Sequence, residues 1–135
     1  MQRISTSNAR WLILLAILLA GCSSSGDAAR GEQLYSQTLI GGSAPGCITC
    51  HSSLPGEVKV GPSHARVAQR AEEVLQSAEY QGEASSAAGF LRESILRPDA
   101  YIEQGFEPGI MYQGYTGVLT AGEVDDLVAY LMTLR

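Results

Sequence analysis

Cys47-Ile48-Thr49-Cys50-His51 is the segment of this chain whose residue types and spacing define a chemistry. Two thiols three positions apart can add to the two vinyl groups of one haem as thioethers. The histidine directly after them is then held beneath the iron, and C-x-x-C-H is the covalent haem-attachment pattern. Other uses of the pair stand beside it. A zinc site needs one or two further ligands, and His64 is the only other histidine in the sequence. A thioredoxin-like pair wants a strand-to-helix setting, which the residues around Cys47 do not suggest. A structural disulfide suits an oxidising compartment but adds nothing to a thin core.

An axial histidine leaves iron a sixth position, filled by His or Met or left open according to function. Outside the leader described below, Met111, Met132 and His64 are the candidates. Met132 falls on the last helix outside its apolar stripe and reads as a packing residue. His64, 13 residues after His51 and directly past Gly61-Pro62-Ser63, should remain on the same side as His51. Met111 comes 60 residues after His51, in a glycine-rich stretch that can swing a thioether over the far face. It is the expected sixth ligand, with a gap-filling core methionine as the alternative. Arg66 or Arg70 could pair with a haem propionate, or simply form a solvated basic face.

The elements that must position these residues read as helices joined by glycine-rich loops. Asp27 can cap a helix through about Leu39, with Gly31, Leu34, Tyr35 and Thr38 on one face. Residues 41–46 form a loop by composition, and His64 to Leu75 has a weak helical period. Residues 76–88 read as a variable surface stretch. A helix from about Ala87 to Leu96 presents Phe90, Leu91, Ser94 and Ile95 before Pro98 stops it. Tyr101 to Leu119 lacks a helical period and must be a long ordered loop, which is usually functional. Thr120-x-x-Glu123 is a capping box, opening a last helix with Val124, Leu127, Val128, Leu131 and Leu134 in one stripe. The expectation is an all-α domain of three or four helices, without a strand pair.

Composition sharpens the need for a bound group. The chain has 135 residues, 45% of them apolar, but only two phenylalanines. That is one small domain with a marginal core, of the kind that adds a disulfide, a metal or a cofactor. A net charge of −5 argues against a nucleic-acid partner.

The first residues read as an address. Arg3 and Arg10 precede ten apolar residues, Trp11 to Ala20, too short a run for a membrane span. The run ends in Leu19-Ala20-Gly21-Cys22, which resembles the bacterial lipoprotein lipobox. The resemblance implies that residues 1–21 are a signal peptide and that Cys22 carries a lipid anchor. Residues 22–26 would be a flexible tether and 27–135 the exported domain. An ordinary signal peptide cut elsewhere is the alternative. Of the nine basic side chains Arg3 and Arg10 leave with the leader, so seven face fourteen acidic ones, a charge of −7.

From about residue 27 to 135 the motifs together resemble small monohaem cytochrome c domains: Glu32-Gln33-Leu34-Tyr35, Cys47–His51, Gly61-Pro62, Gly109-Ile110-Met111 and the capped last helix. The stretch Glu93 to Ile102, with Gly105-Phe106 and Pro108-Gly109-Ile110-Met111, resembles the cytochrome domain of caa-type oxidase subunit II. It is similar also to the monohaem lipoprotein subunit of alternative complex III. The resemblance implies a small cytochrome c fold around one covalent haem c, with the first and last helices crossing so that Gly31 and Tyr35 meet the Leu127–Leu131 face. It implies that the Pro62 carbonyl accepts from His51, fixing the ring. Two features depart from the family pattern: Tyr112 follows Met111 where proline is common, and the tryptophan many relatives place near the propionates is absent.

The function expected from this is one-electron transfer by His51/Met111-ligated haem, with no residue acting as acid, base or nucleophile. The protein would sit on the outer face of a bacterial membrane, in the periplasm or outside the cell. Its partners would be redox proteins with a basic or uncharged docking face, as subunits or neighbours in a respiratory or photosynthetic complex. The alternatives are a ligand-binding haem sensor or peroxidase-like enzyme with a labile Met111, and a haem-free thiol lipoprotein.

Overall fold

A computed structural model describes residues 26–135; the expected leader and Cys22, expected to carry the lipid, lie outside the described residues. Helix α1 (Ala28–Tyr35) starts where Asp27 Oδ1 accepts from the amides of Ala29 and Arg30, at 2.9 and 3.2 Å. It buries Gly31, Leu34 and Tyr35, the i, i+3, i+4 face read from the sequence. The helix stops short of Leu39, however, and Thr38 is exposed. Leu39–Ile40 (β1) instead pairs antiparallel with Ala44–Pro45 (β2), Leu39 opposite Pro45 and Ile40 opposite Ala44. This small ribbon corrects the expectation of no strand pair and of a plain loop over 41–46. Gly41 and Gly42, at φ of 59° and 76°, make the reversal in a region other residues avoid. The ribbon buries Ile40 and Ala44 in the core.

A single helical turn, α2 (Cys47–Cys50), follows, then α3 (Val67–Leu75), α4 (Ala87–Leu96) and α5 (Ala121–Leu131). Apart from α2, four helices of eight or more residues make up the described domain, within the expected number. The capping box is formed in full: Thr120 Oγ1 accepts from Glu123 N at 3.2 Å and Glu123 Oε2 accepts from Thr120 N at 2.8 Å. Below it Val124, Leu127, Val128 and Leu131 are buried, while Leu134 lies past the helix end and is half-buried.

Helices α1 and α5 share the most extensive packing in the domain. They meet at Gly31, where a Cβ would lie 2.6 Å from the Asp126 carbonyl carbon and 2.8 Å from Tyr130 Cβ. Backbone approach this close admits only glycine. The rings of Tyr35 and Tyr130 tilt against each other at 5.1 Å, and Asp126 ties the two helices by accepting from Asp27 N and Arg30 Nε at 2.6 and 2.9 Å. The expected crossing of first and last helices is thus in place.

Residues 76–88 lie mostly at the surface, as read from the sequence, but are fastened to α4. Glu93 is buried on α4, where its carboxylate accepts from the Tyr80 hydroxyl, from Arg97 and from the Glu83 amide. A buried carboxylate is retained only when its oxygens are satisfied, and here it fastens the stretch to α4. Tyr101 to Leu119 is a long loop, as expected, broken by one 3₁₀ turn at Tyr115–Gly117. Among the described residues no helix is long and apolar enough to cross a membrane.

Candidate functional site

Residues of the Cys47–Cys50 turn and of the long loop together line one mostly apolar cavity. Cys47, Cys50 and His51 line one side, and Met111 lies on the loop. Phe90, Leu91 and Ile95 of α4 supply much of the apolar floor. Tyr115 ties the long loop to β2, directly before the Cys47 turn, its hydroxyl donating to the Pro45 carbonyl at 2.6 Å.

His51 is fixed on three sides. Its Nδ1 lies 2.8 Å from the Pro62 carbonyl oxygen, which can only accept, so Nδ1 carries the proton. Nε2 is then the lone-pair nitrogen, the form a metal requires. Burial lowers the pKa of His51 against the opposing effect of that hydrogen bond, so the ring is held neutral. Gly61 backs the ring edge: a Cβ there would come within 2.8 Å of Nδ1 and 3.1 Å of Nε2. His64 stacks on the ring face, centroids 3.9 Å apart and planes 16° from parallel.

Cys47 and Cys50 are both free thiols. Burial pushes the Cys47 thiol up to about 11, so it is protonated at neutral pH. A thioredoxin-type nucleophilic cysteine needs the opposite shift. Among the described residues no group of three or more His, Cys, Asp and Glu is placed to hold a metal ion. Two unpaired thiols, a neutral imidazole with a lone pair and a mostly apolar cavity fit the haem that C-x-x-C-H implies.

The remaining candidates separate clearly. Met132 caps the C-terminus of α5 and packs partly buried against the core, while Met111 lines the cavity. The Met111 loop is clamped by Asp99, whose Oδ1 accepts from Gly109 N at 2.9 Å and from Gln113 Nε2 at 3.1 Å. Gln113 Nε2 also donates to the Met111 carbonyl at 3.0 Å. Arg70 lines the cavity, donates to the Ser63 and Ala65 carbonyls and pairs with Glu103 at 3.4 Å. Arg66 is exposed and binds the Gln69 side chain instead. His64 does stay beside His51, as its short separation suggested.

Sequence reasoning missed the Asp99 clamp, the Tyr115 anchor and the contact of Gly61 with His51. Only Gly61 left a trace, as a Gly-Pro pair in an apparently ordinary loop; the others are contacts between distant segments with no local pattern. Comparison with known families finds that the model described as Cytochrome c matches residues 28–135. None of the curated proteins compared matches the chain.

Proposed function

The chain belongs to the cytochrome c family, and on that premise we propose that it is a membrane-tethered one-electron carrier, a monohaem subunit or captive carrier of a respiratory or photosynthetic complex. Membership itself establishes the coarser reading: an electron-carrying haem protein with covalent haem c, of a family generally not enzymatic. The observation that carries the monohaem electron-carrier reading is the convergence of both unpaired thiols, the lone-pair imidazole of His51 and Met111 on one apolar cavity.

Cys47 and Cys50 would hold the haem. Each S–H would add across a vinyl double bond, sulfur to one carbon and hydrogen to the other, with no oxidant consumed. His51 would ligate through Nε2 while Pro62 fixes its tautomer and donor strength. Met111 would fill the sixth position, a weak soft donor that raises the reduction potential over a bis-His site. Bound haem supplies the Fe(III)/Fe(II) couple. If His51 and Met111 both hold the iron, the site would favour outer-sphere electron transfer over chemistry on a bound substrate. The Asp99 clamp on either side of Met111 supports a ligand that stays in place. Arg70, already at the cavity wall, is the candidate propionate partner.

The cavity mouth supports a protein partner. Val60, Ile110 and Tyr112 line it while being 54, 57 and 37% exposed, and Ile48 between the two thiols is exposed as well. Asp99, Glu103 and Glu107 line the same mouth. This suits a docking face that is apolar with basic flanks. Lipid on Cys22 would keep the domain beside that partner at high effective concentration, on the outer face of the membrane.

The test is the visible spectrum of protein matured with its export signal intact. A low-spin c-type spectrum is expected, with a far-red sulfur-to-iron band that Met111→Ala abolishes, and no CO binding to the reduced native protein. Ready CO binding by the native protein would instead establish a ligand-binding haem. Absence of haem mass from acid-extracted protein would leave a thiol lipoprotein. Membrane release on Cys22→Ser tests the tether separately.

A further inference from the structure

His64 does more than fill space beside the haem ligand. Its ring lies face to face with that of His51, 3.9 Å between centroids and 16° from parallel, which is van der Waals contact over the whole ring. The backbone around it is anchored independently. His64 N donates to the Ser52 carbonyl at 2.6 Å, and the His64 carbonyl accepts from Val67 N at 3.0 Å. On its other side the Tyr35 ring leans on it at 5.7 Å, and Tyr35 is itself held by Tyr130 at 5.1 Å. His51 therefore rests on a stack backed by α1 and α5.

The hydrogen bond to Pro62 cannot by itself set the plane of the His51 ring. One N–H···O contact fixes a direction, and rotation about that line leaves it intact. The ring torsion of histidine is also intrinsically broad, without sharp staggered wells. Gly61 limits motion only at the edge. A flat, immobile surface against the ring face is what removes the remaining freedom, and His64 is that surface.

The polar atoms of His64 argue the same way. Its Nδ1 is buried with no hydrogen-bond partner, so this imidazole does not act there as a donor or acceptor. An unpartnered buried nitrogen makes histidine a poorer filler than leucine or phenylalanine. What histidine and phenylalanine offer, and leucine lacks, is a planar face.

We infer that His64 is a positioning residue that fixes the plane of the His51 imidazole by stacking, and through that plane tunes the electronic state of the bound iron. The inference rests on His51 being the haem ligand. Axial-ligand orientation is one of the controls a protein has over haem iron, and orienting partners beyond the ligands are part of it.

The experiment compares holoprotein carrying His64→Leu and His64→Phe with wild type. Three quantities are read: the haem-methyl shift pattern of the ferric protein by proton NMR, the equilibrium constant for reduction by one fixed redox couple, and thermal stability. The expected result is that His64→Leu reorders the methyl shifts and changes the equilibrium constant several-fold without lowering stability. His64→Phe should restore the wild-type shift order. An unchanged shift pattern and equilibrium constant in His64→Leu would overturn the inference while leaving the electron-carrier reading intact. Wild-type protein that takes up no haem would overturn both. If neither variant matures, nuclear Overhauser contacts between the His51 and His64 rings in wild-type holoprotein decide: their presence supports the stack and their absence overturns it.

Discussion

Gly61→Ala should disrupt the site although Gly61 itself bonds to no ligand. The new Cβ would sit 2.8 Å from His51 Nδ1 and 3.1 Å from Nε2, and closer still to Cε1. Comfortable contacts of carbon begin near 3.5 Å, so the ring edge must retreat by about 1 Å. The ring has nowhere to go, because Pro62 holds Nδ1 at 2.8 Å and His64 covers one face. Overpacking of this kind costs about 1–3 kcal/mol, and losing the Pro62 hydrogen bond about 0.5–1.5 kcal/mol more. Together they amount to about 2–4 kcal/mol, or roughly 10–25 °C in Tm for a domain of about 100 residues. Thermal unfolding of the holoprotein, followed by far-UV dichroism, gives the stability. The ferric visible spectrum reports the ligand and should lose low-spin character, because His51 is pushed from its axis. A Tm within about 2 °C of wild type, together with an unchanged spectrum, would refute the claim that backbone at Gly61 presses on the ligand ring.

Gly31→Ala should lower Tm strongly without changing the spectrum, since its Cβ would strike the α5 backbone at Asp126 and force the crossing apart. Asp99→Ala should free both sides of the Met111 loop. The expected outcome is CO binding to the reduced native protein and a weakened far-red band, with Tm falling by only a few degrees because these bonds are exposed. Hydrogen bonding to Arg30 and then to the Asp27 amide holds the Asp126 carboxyl below its ordinary value. Between its folded pKa and the unfolded value of about 3.9, the unfolded chain binds more protons, so stability rises with pH there and is lost as pH falls through the folded pKa. Asp126→Asn should remove that part of the acid dependence, visible as a flatter Tm-against-pH curve below pH 5, roughly the onset of carboxylate titration.

Much of this protein was legible from local pattern. The C-x-x-C-H segment is a chemical statement made by five adjacent residues, and it alone implied a haem. Helix α4 and the capped start of α5 were readable because capping and 3.6-residue periodicity are local properties. The same locality explains the errors. The end of α1 and the ribbon at Leu39–Pro45 were misread because Thr38 and Leu39 continue a helical pattern. What overrides it is the pairing of Leu39–Ile40 with Ala44–Pro45 and the burial of Ile40, which no short window contains.

Sequence alone determined the attachment chemistry, the helical class and the capped terminal helices, because each depends on residues within about a turn of one another. It could order Met111, Met132 and His64 as candidates but not place them. Tertiary structure decided that Met111 and not Met132 reaches the cavity, that Arg70 and not Arg66 lines it, and that His64 lies flat on His51. It also showed that Gly61 and Gly31 are sites of close approach, not loop or helix filler. These are facts about distance between segments far apart in the chain. They are fixed by the packing of α1 on α5 and by the long loop folding back over the Cys47–Cys50 turn, which no local pattern in the sequence encodes.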